Sequence, residues 1–190
     1  SGKLNNNDYV KFNEALSQLE DTNIFIDDTP GITIGEIRSK CRRLKTSESG
    51  LDLVIIDYLQ LISGGKNYGA NRQQEVSDIS RALKMLAMEL NIPVIALCQL
   101  SRTVESREDK RPLMSDLRES GSIEQDADIV AFLYRDDYYN KAARTDNNTS
   151  LSELIIGKHR NGTTGTINLL FKRDTSTFLN FTKEEGEVSE

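Results

Sequence analysis

Apolar and polar positions along this chain fall into blocks with the two periods of an α/β fold. The sharpest block is Leu53 to Ile62, LVIIDYLQLI, where four consecutive apolar residues precede one carboxylate, Asp57. A continuous run of that length predicts a strand buried on both faces. A second run, Ile92 to Leu97, is followed by Cys98 and Gln99. Between the two lies Asn71 to Asn91, with Val76, Ile79, Leu83, Leu86 and Leu90 on one helical face. Strand, helix and strand in that order predict a parallel pair joined by a right-handed crossover. Asp128 to Tyr134 reads as a third buried strand. Leu154 to Gly157 and Thr166 to Phe171 flank Asn161-Gly162, a strong hairpin signal. Phe178 to Phe181 adds a last strand.

The N-terminal third follows the same rules. Asn5 to Leu19 predicts a helix opened by Asp8, and Asn23 to Asp27 a short strand. Thr29-Pro30-Gly31 predicts a turn, and Thr33-Ile34-Gly35-Glu36 a capping box for a helix running to about Lys45. Ser63 to Ala70 reads as a glycine-rich mobile loop, and Arg135 to Ser150 as a polar, mobile stretch. Lys183 to Glu190 reads as a disordered acidic tail.

Ligands of open parallel sheets sit at the carboxyl ends of the strands, which is where Asp57 and Gln99 stand. A carboxylate there holds the water shell of a nucleotide-bound Mg²⁺, or else caps the next turn. A glutamine beside it senses a γ-phosphate, or is an ordinary loop amide. Ser101 to Asp126 is far longer than the usual α/β connection of ~2 to 6 residues. It holds Arg102, Arg107, Lys110, Arg111 and Arg118 but more acids than bases, and reads first as a solvated loop. Ser115 caps a helical turn, Gly121 breaks it, and Ser122-Ile123-Glu124-Gln125 offers a second capping box. Free N–H groups at such a break can bind phosphate. Lys158 and Arg160 stand at the hairpin tip, either protecting a sheet edge or aimed as a cationic finger at another subunit's phosphates. The basic residues Arg38, Lys40, Arg42, Arg43 and Lys45 predict a solvated helix face, the rival being an acidic or nucleic-acid partner.

Composition narrows the choice. With 190 residues the chain is one domain in size, and its formal net charge is −6, so no broad basic surface advertises nucleic acid. Cys41 and Cys98 lack metal-ligand spacing and read as reduced, buried thiols of a cytosolic protein. The single histidine, His159, is placed in a loop and builds no metal site without partners. No apolar run approaches the ~20 residues of a membrane span. Ser1-Gly2-Lys3-Leu4 is a poor phosphate loop, because Leu4 stands where Ser or Thr is required and no glycine or strand precedes it.

Taken together, LVIIDYLQLI, NRQQEVSDISRALKMLAMELN, IPVIALCQLSR, DLRESGSIEQDADIVAFLYRDDYY and KHRNGTTG closely resemble the C-terminal motor domain of the DnaB family of bacterial replicative helicases. The resemblance implies an α/β fold with a RecA-like, mostly parallel sheet flanked by helices and a C-terminal antiparallel hairpin. Residues 1–182 would form a partial motor domain, with the phosphate loop and catalytic glutamate lying before Ser1 and part of the core absent. It implies a cytoplasmic homohexamer that hydrolyses ATP with Mg²⁺, moves 5′ to 3′ on single-stranded DNA, and meets primase and a helicase loader through the intact protein. In that family Asp57 matches the Walker B aspartate and Gln99 the residue coupling γ-phosphate to the DNA loops. Arg118, Glu119 and Gly121 match the loop on the DNA backbone. Lys158 and Arg160 match the pair reaching the neighbour's ATP. The rivals are a RecA-like recombination or repair ATPase and a non-catalytic docking piece.

Overall fold

The computed structural model describes residues 5–20, 22–65, 71–117, 121–140 and 148–181. The helical-period segment forms α3 (Arg72–Leu90) because its apolar stripe has somewhere to go: Val76, Ile79, Leu83 and Leu86 are all buried. Asn71 caps its start by accepting from Gln74 N–H, and Asn91 ends it in the left-handed conformation at φ 50°. To name the elements around it in chain order, α1 (Asn6–Glu20) and α2 (Ile34–Lys45) precede β1 (Val54–Ile56), and β2 (Val94–Ala96) follows α3. Next come α4 (Gly121–Asp126), β3 (Ile129–Arg135), α5 (Asp136–Tyr139), β4 (Thr149–His159), β5 (Gly165–Lys172) and β6 (Thr177–Asn180).

The predicted strand–helix–strand unit is present. β1 and β2 pair in parallel with Val54 opposite Val94 and Ile56 opposite Ala96. Ile37 and Cys41 of α2 join the buried face of α3 in one core. The remaining strands form an antiparallel sheet in the order β3-β4-β5-β6, so the Asn161-Gly162 hairpin is also present, with longer arms than the sequence suggested. α4 ties the two sheets together. Its Ile123 lies in the core under β1 and β2, while Leu117 just before it packs with Val130 and Phe132 under the second sheet.

Several expectations are corrected. β1 is buried on one face only: Leu53 and Ile55, with Ile95 and Leu97 of the neighbouring run, are exposed. Residues 23–27 form no strand, since among the described residues no sheet edge lies beside them to take their backbone groups. Asp27 at the end of this segment pairs with Lys40 of α2 and accepts from Thr29 Oγ1 at 2.6 Å, and these contacts draw its pKa down to about 2. The box that opens α1 is made by Asn5 and Asp8 reciprocally, each carboxamide or carboxylate accepting from the other's N–H, so Asn5 is the cap. At α2 the predicted Thr33–Glu36 capping box is complete. β3 alternates exposed and buried residues, as a strand with one solvated face does. The polar stretch after Arg135 contains α5, whose Asp137 is buried against Arg135. His159 ends β4 and is not in a loop. Both cysteines are free thiols, Cys41 buried as expected and Cys98 only partly buried. The expected acidic tail, residues 66–70 of the expected glycine-rich loop and residues 141–147 of the expected polar stretch lie outside the described residues. Among the described residues no helix is long and apolar enough to cross a membrane.

The one-sided core has a measurable consequence. Ile79→Ala, at a position 1% exposed, should cost about 2–5 kcal/mol in urea unfolding of the 190-residue chain. Ile55→Ala, at 63% exposure on the same sheet's open face, should cost no more than about 0.5 kcal/mol.

Candidate functional site

β1 and β2 run in parallel and in register, so their carboxyl ends emerge side by side. Asp57 and Gln99 accordingly line one cavity of about 320 Å³, together with Tyr58, Leu97 and Cys98. The Asp57–Tyr58 peptide is cis. Gln99 also lines a larger neighbouring cavity of about 600 Å³, whose far wall carries Arg102, Tyr134, Arg135 and Tyr138. There Tyr134 is pushed up to about 12 by burial, helped by its hydrogen bond to Asp136 at 2.9 Å.

Gln99 is held by a residue that the sequence did not single out. Gln60 donates its amide N–H to the Gln99 carbonyl at 3.3 Å and accepts the Gln99 N–H at 3.3 Å. Its side chain thus continues the ladder one step past the end of the sheet. Gln60 is anchored in turn by Arg72, which donates to its carbonyl and pairs with Glu75. Glu75 accepts from Gly64 N–H at 2.7 Å, which is the main reason its carboxyl lies below the usual range. A polar residue three positions after the strand-end Asp57 was the available signal, but only the fold shows that it faces Gln99.

The hairpin pair is placed differently from a free cationic tip. Lys158 donates to the carbonyls of Glu124, Gln125 and Ala127, the last at 2.6 Å, and so occupies the C-terminal end of α4. Arg160 donates to the Gln125 carbonyl at 3.3 Å and lies 3.4 Å from the Asp128 carboxylate. Asp128 sits below the ordinary carboxylate range chiefly through Lys84, with Arg160 adding to the pull. Neither Lys158 nor Arg160 lines the Asp57 cavity. A bulge between Val130 and Ala131 leaves Gly157 as the extra residue of β4 just before Lys158. Glycine is needed there because a Cβ would come within 2.8 Å of the Phe132 ring.

Of the loop residues, Gly121 is the first residue of α4, with open space where a Cβ would stand. Arg118 and Glu119 lie outside the described residues. The expected capping box at Ser122 is not formed, because Ser122 is inside α4 and its hydroxyl meets Ser77 of α3 at 2.8 Å. The connection before Arg118 is no solvated loop. Val104, Asp116 and Leu117 are buried, Arg107 grips Asp116, and Arg111 forks onto Glu153 of β4 at 2.7 and 2.9 Å. On α2 the expected solvated face holds, with Arg38 and Arg42 both on Glu89 and Lys40 on Asp27.

A parallel pair ending in a carboxylate and a glutamine at one cavity, joined to an antiparallel extension, is the arrangement of a RecA-like α/β fold. Within that fold class the chain belongs to the DnaB-like helicase C terminal domain family, whose model matches residues 1–180. It is 58% identical over 188 residues to the replicative DNA helicase DnaB of Geobacillus stearothermophilus, covering 99% of this chain and 40% of that protein. It is 59% identical over 180 residues to the replicative DNA helicase DnaC of Bacillus subtilis strain 168, covering 95% and 39%. Among solved structures it is similar to one described as an ATPase domain, with TM-score 0.84, 46% identity, and 92% and 61% of the two chains covered. It is also similar to a DnaB-like replicative helicase described with its primase interactions, with TM-score 0.86, 45% identity, and 95% and 44% covered. The chain spans about 40% of the length of these curated relatives.

The Gln60 clamp yields a local test. Gln60→Ala removes both hydrogen bonds to Gln99, so amide exchange at Gln99 should speed up by about fivefold, the effect of losing roughly 1 kcal/mol of protection. Exchange at Val76 in the middle of α3 should not change. Both are read by NMR.

Proposed function

We propose that this chain is the nucleotide-sensing and DNA-facing part of a homohexameric, ATP-dependent replicative helicase that moves 5′ to 3′ on single-stranded DNA in the bacterial cytoplasm. The observation that carries this reading is the shared cavity of Asp57 and Gln99 at adjacent parallel strand ends. Asp57 suits Mg²⁺ through its hard carboxylate oxygens. Among the described residues no group of three or more His, Cys, Asp or Glu side chains can cage a metal. That suits an ion held largely by water and phosphate oxygens. When bound, Mg²⁺ would neutralise charge on the β- and γ-phosphates. Asp57 would orient its water shell, and Gln99, fixed by Gln60, would present its amide to the γ-phosphate end. Arg118, Glu119 and Gly121 would contact the DNA backbone, with primase and a loader engaging the intact protein.

Lys158 and Arg160 would serve the neighbouring subunit's ATP, Arg160 as the finger that stabilises transition-state charge. Each now rests on carbonyls at the C-terminal end of α4, on the same tip that would cross an interface. In the full-length protein Arg160→Ala should cost on the order of 10³-fold in turnover, with less effect on ATP affinity. The test mixes Arg160→Ala subunits with Asp57→Asn subunits, each inactive as a pure ring. Single-turnover hydrolysis should return in mixed rings with verified exchange, because some interfaces then pair an intact Asp57 with an intact Arg160. Near-normal turnover by pure Arg160→Ala rings would exclude the finger.

The 190 residues contain no G-x-x-x-x-G-K-[ST] run to cradle phosphates. By themselves they should bind Mg-ATP weakly and not turn it over. Stoichiometric micromolar binding in a calorimeter would contradict this.

A further inference from the structure

The segment from Gln99 to Leu117 is bonded internally in a way that neither catalysis nor DNA contact accounts for. Asp116 is 4% exposed, and its carboxylate takes both arms of the Arg107 guanidinium, at 3.1 Å on Oδ1 and 2.8 Å on Oδ2. The same Oδ2 accepts from Leu113 N–H at 2.7 Å. Arg107 also donates to the Arg111 carbonyl at 2.8 Å. The Asp116 main chain adds the decisive link, since its carbonyl accepts from Ser101 N–H at 3.0 Å. Ser101 is two residues after Gln99, and Asp116 is two residues before Arg118. The chain is therefore folded back so that Ser101 meets Asp116, and a bidentate, charge-assisted pair with a buried carboxylate braces the stretch between them. On either side it is anchored: Gln60 clamps Gln99, and Leu117 is buried with Val130 and Phe132.

We propose that Arg107 and Asp116 are positioning residues that make Gln99 and the chain entering the DNA loop move as one body, and so transmit the nucleotide state to DNA affinity. This rests on the function proposed above. A flexible connection of this length would absorb a shift at Gln99 within its own torsions. A closed one passes it on, because Ser101 is bonded to the Asp116 carbonyl and Leu117 is the next residue. Arginine is required because its planar fork meets both carboxylate oxygens at once, whereas lysine offers a single point charge.

The experiment uses the full-length hexamer and a fluorescent oligothymidylate, whose affinity is measured with ADP and with a slowly hydrolysed ATP analogue. The unsubstituted ring should show a nucleotide-dependent affinity ratio of about 5- to 150-fold, the usual range for coupled sites. In Asp116→Asn and in Arg107→Lys the ratio should collapse toward one while DNA-free ATP turnover stays unchanged. Asp116→Asn leaves a guanidinium without its anion and can compromise folding. If it does not form rings, Arg107→Lys, which keeps the charge, decides the matter. A retained ratio in the assembled variants overturns the proposal. So does a loss of DNA-free turnover and thermal stability in step with the ratio, which marks a merely structural pair. An unsubstituted ring whose DNA affinity ignores nucleotide would overturn the proposed function itself, before any variant is compared.

Discussion

The parallel register of β1 on β2 is the constraint on which the remaining structure depends. Parallel strands cannot be joined by a tight turn, so the chain must cross over, and α3 is the crossover. α3 can do this only by burying Val76, Ile79, Leu83 and Leu86 against the sheet and α2. Once it does, the carboxyl ends of both strands face the same way, and Asp57 and Gln99 come to share a cavity. The site is thus a by-product of packing on the opposite side of the same strands.

Charge is handled locally throughout. The chain carries 24 basic and 30 acidic residues, yet most basic side chains around the site are committed to a partner of known position. Arg107 is on Asp116, Arg111 on Glu153, Lys84 on Asp128, and Arg135 on Asp137. Two of these pairs, Arg111–Glu153 and Lys84–Asp128, cross between elements distant in sequence and so pin loops onto the sheets. The exposed ones contribute little to stability. Those with a buried carboxylate, Asp116 and Asp137, matter through geometry, because removing one partner strands the other in a poorly solvated place.

α4 is where the two halves meet. It is only six residues long, yet it contributes Ile123 to the first core, touches α3 through Ser122, and has its C-terminal carbonyls taken by Lys158 and Arg160 of the hairpin. The chain leading to it is closed back on Gln99 through Ser101 and Asp116. The hairpin tip thus meets α4 at its C-terminal end, and α3 meets it through Ser122.

How much of this is legible without the fold depends on the range of the interaction. Alternation and helical period are local properties, so LVIIDYLQLI, the α3 stripe, the Thr33–Glu36 box and the Asn161-Gly162 turn could be read directly, and with them the strand-end position of Asp57 and Gln99. Family motifs extended that reading to Lys158 and Arg160. What required the tertiary structure were properties set by partners far along the chain. β1 is open on one face because burial depends on what lies above it, and residues 23–27 form no strand because a strand needs a neighbouring edge. The connection from Ser101 looked solvated because its composition is polar. Up to Leu117 it is held by polar residues complementary to one another and to Glu153, and complementarity is a matter of distance, which composition does not contain.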